Sequence, residues 1–113
     1  MALKRMVLEF GMGNDLHGGD YTKAALRAVQ DALHHSSLSF VRSLGLDTKN
    51  MEVEVLIGVQ EPEKVDAAAV AASLPRGKAT VKVTKGGLNI PEESGHDMVV
   101  IATAGIVARF DLP

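Results

Sequence analysis

The 113-residue chain contains no cysteine and no tryptophan, and aromatic residues make up only 4% of it. Without cysteine, disulfides and cysteine-ligated zinc or iron–sulfur sites are excluded, which fits a reducing compartment such as the cytoplasm. Few aromatic rings are available on which nucleic-acid bases could stack. Alanine and valine must therefore fill the interior, which favours close backbone packing and cores shared between subunits.

Two further absences concern charge and hydrophobic runs. The net charge is −2 and Lys4-Arg5 is the longest basic pairing, so the chain lacks a basic stripe for phosphates. No stretch approaches the ~20 apolar residues that cross a bilayer, and Glu9 interrupts the N-terminal apolar run before it resembles a signal peptide. We therefore expect no nucleic-acid or membrane partner, and one cytoplasmic domain over residues 1–113 with no cofactor or metal indicated.

Hydrophobic periodicity predicts the element order β-α-β-α-β-β. Helical spacing of apolar residues predicts a first helix that starts after Asp20 or Thr22 and ends near His35, and an alanine-rich second helix over residues 63–73. Residues 38–50 are expected to connect the first helix to the next strand. Strands are predicted over residues 3–10, 51–59, 78–84 and 98–104. Two helices and about four strands predict an α/β fold of the α+β two-layer sandwich type.

The strand predicted over residues 98–104, MVVIATA, is apolar on both faces, which indicates burial on both sides. Helices on one face of a single sheet would leave its other face uncovered. Together these features predict that sheets of several subunits pack face to face in an obligate homo-oligomer. A trimer is the first choice and a dimer the second.

The segment GMGNDLHGG, residues 11–19, concentrates glycine more than any other part of the chain. It is expected to form a loop between the first strand and helix, with Gly11 or Gly13 in a conformation closed to other residues. It matches neither the GxGxxG dinucleotide fingerprint nor a Walker phosphate loop. Gly11, Gly13 and Gly18 are nevertheless candidate ligand-binding positions, because free N–H groups at a helix N-terminus bind anions.

Asp15 and His17 are the candidate catalytic residues. A carboxylate can orient an imidazole that acts as a general base, and we expect the two side chains to form a hydrogen-bonded pair at a cleft between subunits. A purely structural turn is the first alternative. The second is a divalent metal held by Asp15, His17 and Asp20, with His96 or Asp97.

Further candidates lie near strand ends. Lys85, before Gly86-Gly87, could present an ammonium to an anionic ligand, and Arg109 could clamp a carboxylate or form a salt bridge. Thr103 and Gly105 could expose a hydroxyl and open backbone. Glu54 could face a pocket between subunits, solvent or a lysine.

The segment EFGMGNDLHGGDYTKAALRAV resembles the signature of a small family of uncharacterised bacterial and plant proteins marked by an N-terminal GxGxDxHG pattern. The resemblance covers essentially the whole chain and implies a family without implying a reaction. At the level of fold, the element order resembles the trimeric chorismate-mutase-like architecture. The ring-opening amidohydrolases of cyanuric and barbituric acid resemble three such units joined, and in both groups sites lie between neighbouring units.

The residues that these two reactions require are absent from the corresponding positions of this chain. Chorismate-mutase chemistry needs strand arginines, whereas the third strand, KATVKVT, carries only lysines, and the amidohydrolase serine is absent where Gly58-Val59-Gln60 stand. Because fold does not imply function, we expect binding or transformation of a small anionic metabolite at subunit interfaces. The alternative is a non-catalytic structural or regulatory oligomer whose glycine-rich segment shapes the interface.

Overall fold

A computed structural model describes residues 3–34, 51–74 and 78–111. Its elements, in chain order, are β1 (Leu3–Asp15), α1 (Tyr21–His34), β2 (Glu52–Val59), a 3-10 turn (Pro62–Lys64), α2 (Ala67–Ala72), β3 (Lys78–Lys85), β4 (Leu88–Pro91) and β5 (Met98–Asp111). The predicted α+β class is confirmed, with β4 as an additional strand. The predicted end of the first helix at His35 and the connector over residues 38–50 lie outside the described residues.

The strands form a five-stranded sheet of order β1-β5-β2-β3, in which β4 also pairs with β5. The long strand β5 is central: β1 runs antiparallel along one side of it, and β2 and then β4 run antiparallel along the other. β3 lies parallel to β2 at an edge of the sheet. The segment between β3 and β4 therefore crosses the end of β2.

One face of the sheet packs against α1 and α2. The alanines of α1, Ala24, Ala25, Ala28 and Ala32, are fully buried there. The largest fully buried side chains of this core are branched aliphatic residues from α1, α2 and the strands, namely Ile57, Val29, Val55, Val59, Val70 and Val100. The expectation that alanine and valine fill the interior is confirmed.

The glycine-rich segment is the main local departure from the sequence prediction. Residues 11–15 continue β1, where Gly11 pairs with Ala104 and Gly13 with Ala102. Neither glycine has a positive φ, so the predicted special conformation is wrong for both. The reason for glycine is close approach: a Cβ at Gly11 would lie 2.3 Å from the backbone nitrogen of Ala32, and one at Gly13 would lie 2.3 Å from that of Ala28.

The second predicted helix is divided. Pro62–Lys64 forms the 3-10 turn, and α2 begins only after Asp66, whose side chain accepts a hydrogen bond from the backbone N–H of Ala69. This N-cap ends the turn and starts the helix. The predicted start at residue 63 is therefore three to four residues too early.

The opposite face of the sheet, called here the open face, is covered by neither of the described helices. Because side chains alternate across a strand, it receives the residues of β1, β2 and β4 that do not face α1. Its large apolar side chains are exposed by 40 to 68%: Phe10, Met12, Leu56, Leu88 and Ile90. The strand MVVIATA is confirmed as part of β5, but only its helix-facing side is buried within one chain.

Candidate functional site

Asp15 is the last residue of β1 and is 2% exposed. Its Oδ2 accepts a hydrogen bond of 2.8 Å from the backbone N–H of Asp20. Its Oδ1 lies 3.7 Å from Lys23 Nζ and 3.9 Å from Arg27 Nη1, both on α1. A buried carboxylate needs such partners, and these contacts fasten the end of β1 to the first turns of α1.

His17 points away from Asp15. Its side chain is 86% exposed, and its Nδ1 lies 3.3 Å from Asp97 Oδ2. No hydrogen bond joins Asp15 to His17 in the described part of the chain, so the prediction that they form a hydrogen-bonded pair is wrong. Asp15 faces the helix side because of its register in β1, whereas the chain reverses after His17 at Gly18 and Gly19, which both have positive φ.

Asp97 holds the loop of residues 16–20 to the beginning of β5. Its Oδ1 accepts hydrogen bonds from the backbone N–H of Gly18, at 3.0 Å, and of Met98, at 2.8 Å. These N–H groups, that of Gly18 first, lower the pKa of the Asp97 carboxyl, and His17 adds to the effect. The contact is a structural clasp between two loops.

The anion and metal alternatives for this segment find no support in the geometry. Asp20 caps α1 by accepting a hydrogen bond from the Lys23 N–H at 3.0 Å, as predicted for a residue at the helix start. The N–H of Gly18 is bonded to Asp97, and Gly11 and Gly13 lie beneath α1. Within the described ranges, no three histidine, aspartate or glutamate side chains are grouped so that they could hold a metal ion.

A second polar cluster, which the sequence analysis did not identify, surrounds the hydroxyl of Tyr21. This hydroxyl donates to Glu61 Oε2 at 2.6 Å and accepts from Asn89 Nδ2 at 2.6 Å. Lys64 Nζ lies 3.3 Å from Glu61 Oε2. Burial, followed by the Glu61 carboxylate, raises the pKa of Tyr21, and the hydroxyl lowers the pKa of Glu61. The one feature of the sequence that could have drawn attention to this cluster is that the chain has a single tyrosine.

The open face contains a groove of about 330 Å³. Its lining comes from β1, β2, β5 and the end of β3: Phe10, Leu56, Ile57, Gly58, Thr84, Lys85, Gly86, Thr103, Ala104 and Gly105. Three of the predicted candidates, Lys85, Thr103 and Gly105, are thus brought together. Lys85 borders the groove at the end of β3, but it pairs in register with the buried Val59, so its side chain is directed to the helix-facing side of the sheet.

The groove ends where the chain crosses from β3 to β4. The Gly86 N–H donates to the Val59 carbonyl at 2.9 Å, and Gln60 Nε2 donates to the carbonyls of Gly86 and Gly87 at 3.1 and 3.3 Å. Gly87 has a φ of 61°, and a Cβ there would lie 2.1 Å from the Ile101 carbonyl oxygen. Glycine is required at this crossing, which fixes the position of Lys85 beside the groove.

Arg109 does not join the groove. Its Nη1 lies 3.6 Å from Glu54 Oε2 on the open face, which agrees with the salt-bridge alternative for Arg109, and the partner of Glu54 is this arginine and not a lysine. The sequence-predicted candidates therefore fall into three places: Asp15 and His17 at the end of β1, three residues in the groove, and Arg109 in an ion pair.

The fold and the groove define a small mixed α+β protein that has one covered and one open sheet face. The chain belongs to the family described as Conserved hypothetical protein (Lin0512_fam), whose model matches residues 5–108. This match confirms the prediction that the chain belongs to an uncharacterised conserved family. The chorismate-mutase-like resemblance stays a prediction.

One solved structure similar to the chain is described as an FtsZ-like protein of unknown function from Nostoc punctiforme. It is 36% identical, the match covers 99% of both chains, and the TM-score is 0.85. No curated protein matches the chain. None of the described helices is long and apolar enough to cross a membrane; the cytoplasmic location stays a prediction.

Proposed function

We propose that the protein is a homo-oligomeric binding protein whose subunits meet through their open faces and hold a small anionic molecule between them. The proposal rests on one observation: the exposed large apolar side chains of three strands, β1, β2 and β4, share one face of the sheet. Contiguous apolar surface of this kind marks an interaction site. No catalytic step is proposed, since Asp15 and His17 both serve to hold a loop.

The size of the open face supports a second copy as its partner. At a strand spacing of about 4.8 Å and a rise of about 3.3 Å per residue, the face covers roughly 700 Å². Stable interfaces bury about 800 Å² on each partner. Two stacked faces would reach this range, and three faces around an axis, the arrangement favoured by the sequence, would cover the same side chains.

The distribution of charge supports the same partner. Phe10, Met12 and Leu88 lie towards the β4 end of the face, whereas the Glu54–Arg109 pair lies towards the other end. Because these two charges are only 3.6 Å apart, they largely neutralise each other. This pair therefore presents little net charge to an identical face, which suits a symmetric interface.

Residues 35–50 are the competing occupant, since they join α1 to β2. However, β2 begins beside Arg109, whereas Leu88 and Ile90 pair with the opposite end of β5. The apolar part of the face is thus far from the point where the connector must enter β2, and a second copy is the better partner.

Light scattering coupled to gel filtration tests the proposal. Phe10→Asp places a charge in the proposed interface without disturbing the core of one chain, because Phe10 is 68% exposed. We expect the wild type to elute as an oligomer and Phe10→Asp to dissociate. Gln30→Asp, on the exposed side of α1, is the matched control and should leave the mass unchanged. A monomeric wild type would contradict the proposal and would be the result if residues 35–50 cover the face.

A further inference from the structure

We propose that the groove on the open face receives the Phe10 ring of a second copy of the chain, which lies over Gly105 there. The inference rests on the proposed function, because it takes the open face as the interface between subunits, and it adds which side chain meets which surface. Each chain supplies one ring and one groove. A two-fold dimer therefore fills both grooves reciprocally, and a closed trimer fills each groove from the next subunit.

Gly105 is a glycine that the described part of the chain does not account for. It lies within β5, and a Cβ added to it would meet no atom within 4 Å. Its φ is not in the positive range, so the backbone conformation does not require glycine either. Gly58 of β2, by contrast, has a neighbour inside the chain, since a Cβ there would lie 2.6 Å from Thr103 Oγ1. A strand glycine without such a neighbour marks close approach by something outside the chain.

Phe10 is the second residue that its own chain does not account for. It is 68% exposed, the largest value among the exposed large apolar residues of the described ranges. Phe10 and Gly105 are paired in register on neighbouring strands, and in such pairs an aromatic ring can fold over the glycine. It does not do so here, because no ring atom lies within 4 Å of the Cβ position of Gly105. The surface of Gly105 is therefore left for contact with another chain.

The register of Phe10 and Gly105 makes them complementary across a symmetric interface. Packed sheets lie about 10 Å apart, a distance that suits one large side chain opposite a glycine. Because the two residues lie at the same height on adjacent strands, a two-fold axis that runs between β1 and β5 places each ring opposite the glycine of the other copy. The two rings then lie side by side, about one strand spacing of 4.8 Å apart, which is within the range of offset aromatic pairs.

The size of the groove agrees with a ring as its occupant. Its volume is about 330 Å³, whereas a protein cavity of about 150 Å³ already accepts benzene. The groove therefore has room for the ring of the partner subunit's Phe10 beside the Phe10 of its own chain, which is part of the lining.

The surroundings of the groove suit contact with protein. Leu56, which pairs with Gly105 from β2, is 40% exposed, and Lys85 is directed to the other face of the sheet. The ring can thus be seated without taking a charge out of water. Val107, the next open-face residue of β5 towards its end, is 5% exposed, so the uncovered part of β5 begins at Gly105. The open face as a whole, at roughly 700 Å², comes close to the area that a stable interface buries on each partner.

An exchange of the ring and the glycine tests the pairing, with the dissociation constant of the oligomer measured by sedimentation equilibrium. Phe10→Ala removes the ring, and Gly105→Phe fills the groove from its own chain. We expect each single variant to raise the dissociation constant at least about thirtyfold, the effect of a hot-spot residue. The double variant Phe10→Ala/Gly105→Phe returns one ring to each contact from the opposite side. It should bring the dissociation constant to within about tenfold of the wild-type value.

Met12→Ala, combined with Gly105→Phe, is the matched control. Met12 is an exposed apolar residue two positions further along β1 and is not part of the groove lining, so its removal should not restore assembly. Circular dichroism checks that each variant is folded, which we expect of Gly105→Phe because the new side chain enters open space. A double variant that assembles no better than Gly105→Phe alone, or a control that restores assembly equally well, would overturn the inference.

The wild-type oligomer provides a second test that needs no substitution. In a mixture of isotope-labelled and unlabelled chains, filtered nuclear Overhauser spectra should show contacts from the Phe10 ring of one copy to the Gly105 protons of another. An oligomer without these contacts, or one that Gly105→Phe leaves as tight as the wild type, would overturn this inference and leave the proposed assembly standing. A monomeric wild type would overturn the proposed assembly, and this inference with it.

Discussion

Both faces of the sheet contain strand glycines, but the surroundings of these glycines differ between the two faces. On the covered face, Gly11 and Gly13 are strand glycines whose missing side chains are replaced by the backbone of α1. On the open face, Gly105 is also a strand glycine, but nothing in its own chain takes the place of its side chain. A glycine explained by its own chain stabilises the fold, whereas an unexplained one points to a partner outside it.

The largest expected effect comes from adding side chains to the covered face. Gly13→Val should destabilise the chain by about 3 kcal/mol or more, because the new Cβ meets helix backbone that cannot move aside. Gly105→Ala should leave stability unchanged or raise it by about 0.5–1 kcal/mol. Urea unfolding, with both changes made in the Phe10→Asp background to separate the subunits, measures the contrast. Equal losses at both positions would remove the distinction between the faces.

A smaller contrast in stability is expected between Asp15 and His17, the two predicted catalytic candidates. Asp15→Asn should cost about 1–2 kcal/mol of unfolding free energy, since it removes a buried charge that two cations face. His17→Asn should cost less than about 0.5 kcal/mol, because an exposed ion pair contributes little, and it should leave assembly unchanged. Thermal unfolding of both variants measures the difference; a large loss of stability in His17→Asn would show that the loop clasp matters more than its exposure indicates.

The smallest expected effect is on how the free energy of unfolding depends on pH, through the carboxyl groups of Asp97 and Glu61. The pKa of Asp97 and that of Glu61 are lowered in the folded chain. Their contribution is therefore present above the ordinary carboxyl pKa values of about 4 and is lost as the pH falls below that range. Asp97→Asn should flatten part of this acid-side loss in unfolding experiments between about pH 5 and 2. An unchanged slope would show that the Gly18 and Met98 hydrogen bonds do not favour the charged carboxyl.

The sequence predicted the elements whose periodicity is intact. β2 opens on charged Glu52 and Glu54 that alternate with Val53 and Val55, and α1 repeats alanines at helical spacing, so both elements were identified correctly. The extension of β1 was missed because Gly11 and Gly13 have no side chains to reveal alternation. β4 was missed because a strand of four residues between turns is too short to show a period.

The candidate site was harder to predict because its contacts are distant in sequence. Asp97 and His17 are in contact although they are 80 positions apart in the sequence, and no local residue spacing predicts such a contact. Residues around the groove were predicted one by one, Lys85, Thr103 and Gly105 among them, but only the register of β5 between β1 and β2 shows that Thr103 and Gly105 share one face of the sheet. Lys23 and Arg27, which face Asp15, are spaced four apart and so share one side of α1, but no pattern in the sequence indicates that this side meets Asp15.

Sedimentation equilibrium of the wild-type protein at micromolar concentration tests the central claim, that the open face is an interface between copies of this chain. The account predicts a mass that is a whole multiple of the 12.0 kDa subunit, three being the first choice and two the second. A stable, folded monomer throughout the micromolar range would contradict it.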